Sequence, residues 1–167
     1  RREVVQQGIT IERLVGDAIT PEIWQRFYQF YQLTYAKRSG HGGYLNEEFF
    51  QKIGQTMADQ LMLVVAKKDN EVIAGALNFF SSTTLYGRYW GCTEEAEFLH
   101  FEACYYQGIE FYIEKNLQRF DAGAQGEHKI QRGFRPVDTY SNHWIAHPGV
   151  REAINDYIDQ ERQQNQQ

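Results

Sequence analysis

The chain has 167 residues and a formal net charge of −5, a length that buries about two thirds of its unfolded surface in one domain and a charge that offers no bulk attraction to DNA or an anionic membrane. No apolar run approaches the roughly 20 residues that cross a bilayer, and no basic-then-apolar signal segment opens it. Cys92 and Cys104 form no CxxC pair and read as reduced core thiols, which suits a cytoplasmic protein. Eleven Tyr, eleven Phe and three Trp exceed what a small core needs, so some are expected in a groove or an interface.

In chain order, Gly8 to Val15 alternates as a first strand. Thr20 caps a helix with Pro21 at its first position and an aromatic stripe of Trp24, Phe27, Tyr28, Tyr31 and Tyr35, read as core packing or, alternatively, as a surface for a second domain or a long ligand. Arg38 to Gly43 breaks that helix, and a second starts near Asn46 with Phe49, Phe50, Ile53 and Met57 inward. Leu61 to Ala66 reads as a strand covered on both faces, and Asp69-Asn70 turns it into Val72 to Phe79. A strand from Leu85 to Gly91 follows, with Tyr86, Arg88 and Trp90 on one face and Leu85, Gly87 and Tyr89 on the other.

The longest helix is expected over Phe98 to Leu117, with Gln107, Glu110 and Glu114 wet and Glu102 among Tyr105, Tyr106, Ile109 and Ile113. Arg119 to Ala122 is a short strand, GEHK opens a short helix, Thr139 to Ile145 alternates as a last strand, and Val150 to Ile158 closes as an amphipathic helix. The polar ends, 1–7 and 160–167, are expected to fray. Strands and helices interleaved in this order predict a single α/β domain over 1–167, one mixed sheet flanked by helices.

The chemistry-bearing residues concentrate between Tyr86 and Pro136. Glu102, desolvated by Tyr and Ile neighbours, is the candidate general base; the alternative is a structural ion pair with Arg88 or Arg132. Gly126 opens the GEHK turn, whose backbone N–H groups could hold an anion or oxyanion, with His128 to move protons and Lys129 to neutralise charge. The alternative is a glycine turn with a solvated charged face. Arg88, Tyr89, Trp90, Tyr106 and Arg132 are expected to line a groove, together with His100, a neutral imidazole because the start of a helix disfavours its protonated form. His143 and His147 are held off a common helical face by Pro148, and the scattered His and Cys have no metal-ligand spacing, so no metal is expected.

With YGRYWG, LHFEACYYQGIEF and GAQGEHKIQRGFRP, and with WQRFYQFYQLTYAKR, GGYLNEEFF, IAGALNF and NHWIAHPGVREAI over the rest of the chain, the sequence resembles the FemAB-like N-acyltransferase family, associated with bacterial peptidoglycan biosynthesis or recognition. The resemblance implies a GNAT-type fold, carried by relatives as two tandem halves, of which this is similar to the C-terminal one. It implies a small-molecule acyl donor and an amine acceptor as partners, an N-terminal half elsewhere, and an acyl carrier, acyl-CoA or aminoacyl-tRNA as the source of the group. A homodimer is left open. Where CoA-using relatives have a glycine-rich RxxGxG-like loop, this chain has CTEEAE at Cys92 to Glu97, whose three carboxylates would repel a pyrophosphate. The expected function is amide-forming acyl transfer; the alternative is a non-catalytic module that recognises a cell-wall precursor or a partner domain.

Overall fold

The computed structural model describes residues 1–123 and 126–165. The helices are α1 (Arg2–Gln6), α2 (Pro21–Ser39), α3 (Glu47–Thr56), α4 (Leu99–Phe101), α5 (Gln107–Glu114) and α6 (Pro148–Asn165), and the strands β1 (Ile9–Val15), β2 (Leu61–Lys68), β3 (Glu71–Phe80), β4 (Thr84–Cys92) and β5 (Arg119–Asp121). The strands form one sheet in the order β1-β2-β3-β4-β5. The first four pair antiparallel, and β5 lies parallel to β4.

Local chemistry explains the element ends. The Thr20 side chain accepts from Ile23 N at the start of α2 and the Asn46 side chain from Phe49 N at the start of α3, each pairing a donor that a helix leaves free. Asp69 and Asn70 both take positive φ, 51° and 65°, the geometry of a two-residue hairpin turn whose twist matches its strands.

β2 is buried from Leu61 to Ala66 because helices cover the sheet on both faces. On one face Leu63, Val65 and Leu77 pack against Trp24, Phe27, Phe30 and Tyr31 of α2 and Phe50 of α3. The rings of Phe27 and Phe50 meet edge to face at 5.6 Å, and Phe50→Ala would cost about 3–5 kcal/mol. The aromatic stripe of α2 is therefore mostly core. On the other face Met62, Val64, Ala76 and Leu85 pack against Ala103 and Phe111. A Cβ at Gly91 would stand 2.2 Å from Phe30 O, so α2 lies this close to β4 because residue 91 is glycine.

Several expectations are corrected. Residues 1–7 do not fray: α1 buries Val4 beside Ile9, Ile73 and Leu99, and apolar burial holds it down. The segment 160–165 is helical within α6, and residues 166–167 lie outside the described residues. Thr139 to Ile145 forms no strand, because it pairs with no strand among the described residues and alternation without a ladder does not make one.

Two further corrections change which side chains meet. β3 and β4 slip register between Leu77 and Asn78, so Leu77 faces Tyr89 but Asn78 faces Gly87, and Arg88 is the extra, bulged residue. Hence Tyr89 joins the α2 face while Leu85 and Trp90 join the other, so the expected common faces of β4 do not exist. The long helix is interrupted by a π-helical turn over Glu102–Tyr106. One added residue rotates the following stripe by about 100°, so Gln107 is buried and Ile113 is 62% exposed.

Contacts divide the chain into two compact units, Arg1–Phe134 and a second from Arg135, where one domain was expected. In the second, α6 begins after His147, whose Nδ1 accepts from Val150 N at 3.3 Å, and Arg151 Nε donates to Ile145 O at 2.9 Å.

Candidate active site

β4 and β5 pair over three positions, Thr84 with Arg119, Leu85 with Phe120 and Tyr86 with Asp121, after which β4 continues to Cys92 beside β3 without β5. A string of aromatic and imidazole rings spans the divergence. Its centroids run from Trp90 to His100 (5.3 Å), His128 (6.3 Å), Tyr105 (5.6 Å), Phe134 (5.8 Å) and Phe120 (5.1 Å). Two pieces of backbone set the string in place. The π turn carries Tyr105, and Gly126 (φ 109°) admits the 3-10 helix Glu127–Arg132 that carries His128. A Cβ on Gly126 would stand 2.5 Å from His128 Cε1.

Tyr105 Oη and His128 Nε2 share a hydrogen bond of 2.9 Å. Burial pushes the Tyr105 phenol up, which keeps it protonated at neutral pH. Burial, and then the charges of His128, Arg38, Arg132 and Lys129, push His100 down to about 4, so its imidazole is neutral. Lys129 Nζ donates to Gly123 O at 3.0 Å, and burial lowers its pKa. Arg132 lies over the Phe101 ring at 3.8 Å from its centroid and donates from NH1 to His128 O at 2.7 Å.

Glu102 is buried, as its neighbours predict, but its partner is neither Arg88 nor Arg132. Arg1 donates to both its oxygens, Nε to Oε2 and NH2 to Oε1 at 3.0 Å each, and Gln107 Nε2 donates to Oε1 at 2.7 Å. Arg1 also pairs with Glu110. Three donor groups hold the carboxylate, Arg1 Nε and NH2 and Gln107 Nε2, the geometry of an anchoring ion pair. Glu102 and Tyr106 line a cavity of about 240 Å³ with Arg1, Phe98, Phe101 and Arg132.

Of the residues singled out in the sequence, the structure thus gathers Trp90, His100, Glu102, Tyr106, Gly126, His128, Lys129 and Arg132 on one side of the sheet. Tyr89 stands apart, its ring edge-on to Tyr31 at 5.6 Å, with Arg88 over it at 5.6 Å. Sequence reasoning missed Arg1, Phe101, Tyr105 and Gln107 as site residues. Tyr105 had one legible signal, its spacing of three from Glu102; nothing in the sequence links it to His128. Among the described residues no three His, Cys, Asp or Glu side chains cluster as metal ligands. Both cysteines are free, and burial pushes the Cys104 thiol well above its ordinary range.

The loop between β4 and α4 is tied down by hydrogen bonds and ion pairs. Thr93 N donates to Ile73 O, Leu99 N to Ala96 O and Glu97 N to the Gln7 side chain, while Gln7 Nε2 donates to Glu97 O. Glu94 pairs with Lys68, and Glu95 with Lys37 at 2.7 Å. The amides of Thr93, Glu97 and Leu99 are thus bonded within the protein, and the carboxylates beside them repel a pyrophosphate.

Solved structures share this architecture. An aminoglycoside acetyltransferase from an uncultured soil metagenomic sample, in complex with trehalose, is similar with a TM-score of 0.56 and 13% identity over 86% of this chain and 98% of its own. A possible acetyltransferase from Clostridium difficile 630 has a TM-score of 0.57 and 10% identity over 83% and 98%. A predicted acetyltransferase from Clostridium acetobutylicum, solved with acetyl-CoA, has a TM-score of 0.61 and 10% identity over 83% and 99%. The fold is that of the GNAT acetyltransferases, with the expected mixed sheet between helices. No curated protein matches the sequence. A family profile described as peptidoglycan biosynthesis/recognition matches residues 1–167, and the chain belongs to that family, FemAB_like.

Proposed function

We propose that this chain is an N-acyltransferase that moves an acyl or aminoacyl group from a carrier to an amine of a peptidoglycan precursor, in the cytoplasm. The observation that carries the reading is the 2.9 Å bond between Tyr105 and His128, set among basic side chains where β4 leaves β5. The fold shared with acetyltransferases supports the reaction class, and the family's description supports the substrate class.

In this mechanism the amine nitrogen attacks the acyl carbonyl carbon. A C–N bond forms, and the carbon–sulfur or carbon–oxygen bond to the carrier breaks. His128 takes the proton the amine loses, and Tyr105 gives one to the departing sulfur or oxygen. Transfer along their hydrogen bond restores both groups. Lys129 places positive charge beside the developing oxyanion. Trp90 and Tyr106 line the approach, and Glu102 anchors α1 to the helix through Arg1.

The acidic loop before α4, with its Thr93, Glu97 and Leu99 amides bonded, favours a donor other than a CoA nucleotide held at that position. It also favours a second reading, a module that recognises a cell-wall precursor without turnover. Label transfer from acyl-CoA, an acylated carrier protein and aminoacyl-tRNA to an amine-bearing precursor separates the two. Transfer from at least one donor, lost in Lys129→Ala with an unchanged thermal midpoint, is the expected result. Precursor capture with no transfer from any donor would overturn it in favour of the module.

A further inference from the structure

Beside the Tyr105–His128 pair lies the cavity of about 240 Å³ walled by Phe98, Phe101 and Tyr106, with Arg1, Glu102 and Arg132 as its charged members. Arg1 is neutralised by Glu102 and Glu110. Arg132 makes no ion pair among the described residues, although it is half-buried. Its NH1 is taken by His128 O, and its plane is held over Phe101. Its Nε is buried and meets no acceptor among the described residues. A desolvated donor on an unpaired charge is costly unless an acceptor arrives. The edge without an acceptor among the described residues is Nε with NH2, the side-on fork that matches the two oxygens of a carboxylate.

The neighbourhood selects the ligand further. Lys129 and Arg132 both act on His100 as positive charges, so the local field favours an anion. Glu102, on the same cavity, disfavours the additional negative charge of a phosphate dianion. The volume falls below the roughly 300–1,000 Å³ of pockets that enclose drug-sized ligands. It is the scale of one amino-acid residue, not of a nucleotide cofactor.

We propose that this cavity binds the free carboxylate of an amino-acid or peptide substrate on the Nε–NH2 edge of Arg132, with the aromatic walls around the adjoining side chain. The inference rests on the acyl-transfer reading only in making that substrate the amine acceptor; carboxylate binding itself is read without any acyl donor.

The test titrates the chain with N-acetylalanine, N-acetylalaninamide and inorganic phosphate, following the Arg132 Nε–H resonance and, in the unaltered chain and the variants alike, the backbone amide resonances of Phe101 and Tyr106. N-acetylalanine should shift that resonance saturably with a dissociation constant on the order of 1 mM, while the amide and phosphate each bind at least tenfold more weakly. Arg132→Gln should lose at least tenfold of the N-acetylalanine affinity. Arg132→Lys, which keeps the charge but not the fork, should lose much of it as well, with both variants checked for an unchanged circular dichroism spectrum. Equal binding of the amide, tighter binding of phosphate, or full affinity in a folded Arg132→Lys would each overturn the proposal. Carboxylate binding without transfer from any donor would leave this site standing and remove the acyltransferase reading. Transfer without carboxylate binding would do the reverse.

Discussion

Tyr105 Oη and His128 Nε2 stand 2.9 Å apart although 23 residues separate them in the chain. Their bond joins the π turn to the 3-10 helix after Gly126, and so holds two irregular pieces of backbone in one place. Tyr105→Phe should cost about 1 kcal/mol of stability, the net worth of one hydrogen bond. His128→Asn should lower transfer on the order of 10²- to 10⁴-fold, the usual contribution of a proton-transfer group. Steady-state rates beside denaturant titrations would check both, and unaltered turnover in His128→Asn would remove the proposed relay.

Gly126 and Gly133 flank the same 3-10 helix with φ of 109° and 90°, yet substitution should affect them differently. A Cβ at Gly126 would meet the His128 ring at 2.5 Å, whereas at Gly133 no heavy atom lies within 4 Å. Gly133→Val should cost roughly 1–2 kcal/mol through backbone strain alone and keep the Tyr105–His128 bond. Gly126→Ala should add displacement of the ring, seen as a change in the His128 side-chain resonances. Identical His128 spectra in both variants would contradict this geometry.

Arg1 and Glu102 form an ion pair with unequal burial, Arg1 side chain 48% exposed and Glu102 6%. Glu102→Gln and Arg1→Ala should each cost about 1–3 kcal/mol. The double variant should lose less than the sum, because both single changes remove the same contact. Transfer by Glu102→Gln should fall less than tenfold. A hundredfold fall at an unchanged thermal midpoint would return Glu102 to the role of general base.

His100 supplies a pH dependence whose sign follows from its pKa, lowered from 6.5 to about 4 chiefly by burial. The unfolded chain binds more protons than the native one between these values, so stability is fully present above pH 6.5 and is lost as pH falls toward 4. The loss should be on the order of 2 kcal/mol, discounted because the ring is partly exposed to solvent. Thermal midpoints measured from pH 7 to pH 4 should fall less steeply in His100→Gln than in the unaltered chain. Parallel curves would show that His100 does not carry the effect.

The strands β1, β2 and β3, the capped starts of α2 and α3 and the Asp69-Asn70 hairpin were legible, because each depends on neighbours a few residues away: a side-chain cap, a turn that tolerates positive φ, an alternation or an apolar run. The crowding of glycines, aromatics and charges between Tyr86 and Pro136 was legible too. The errors in side-chain facing had one cause in two places. The π turn at Glu102–Tyr106 and the bulge at Arg88 each insert one residue into a regular element. A single insertion changes the facing of residues beyond it, as Gln107 and Ile113 on the helix and Tyr89 and Trp90 on the strand show.

The sequence by itself thus determined the class of fold, the apolar faces that bury the sheet and the stock of basic and aromatic groups near the site, because periodicity and local hydrogen bonding act over a few residues. Only the tertiary structure decided that Glu102 belongs to Arg1, that Tyr105 belongs to His128, and that Arg132 carries an unpartnered Nε beside a cavity. These pairings join residues 101 and 23 positions apart in the first two cases. Contacts at such separations follow from how the packed layers bring distant segments together, which no local pattern in the chain encodes.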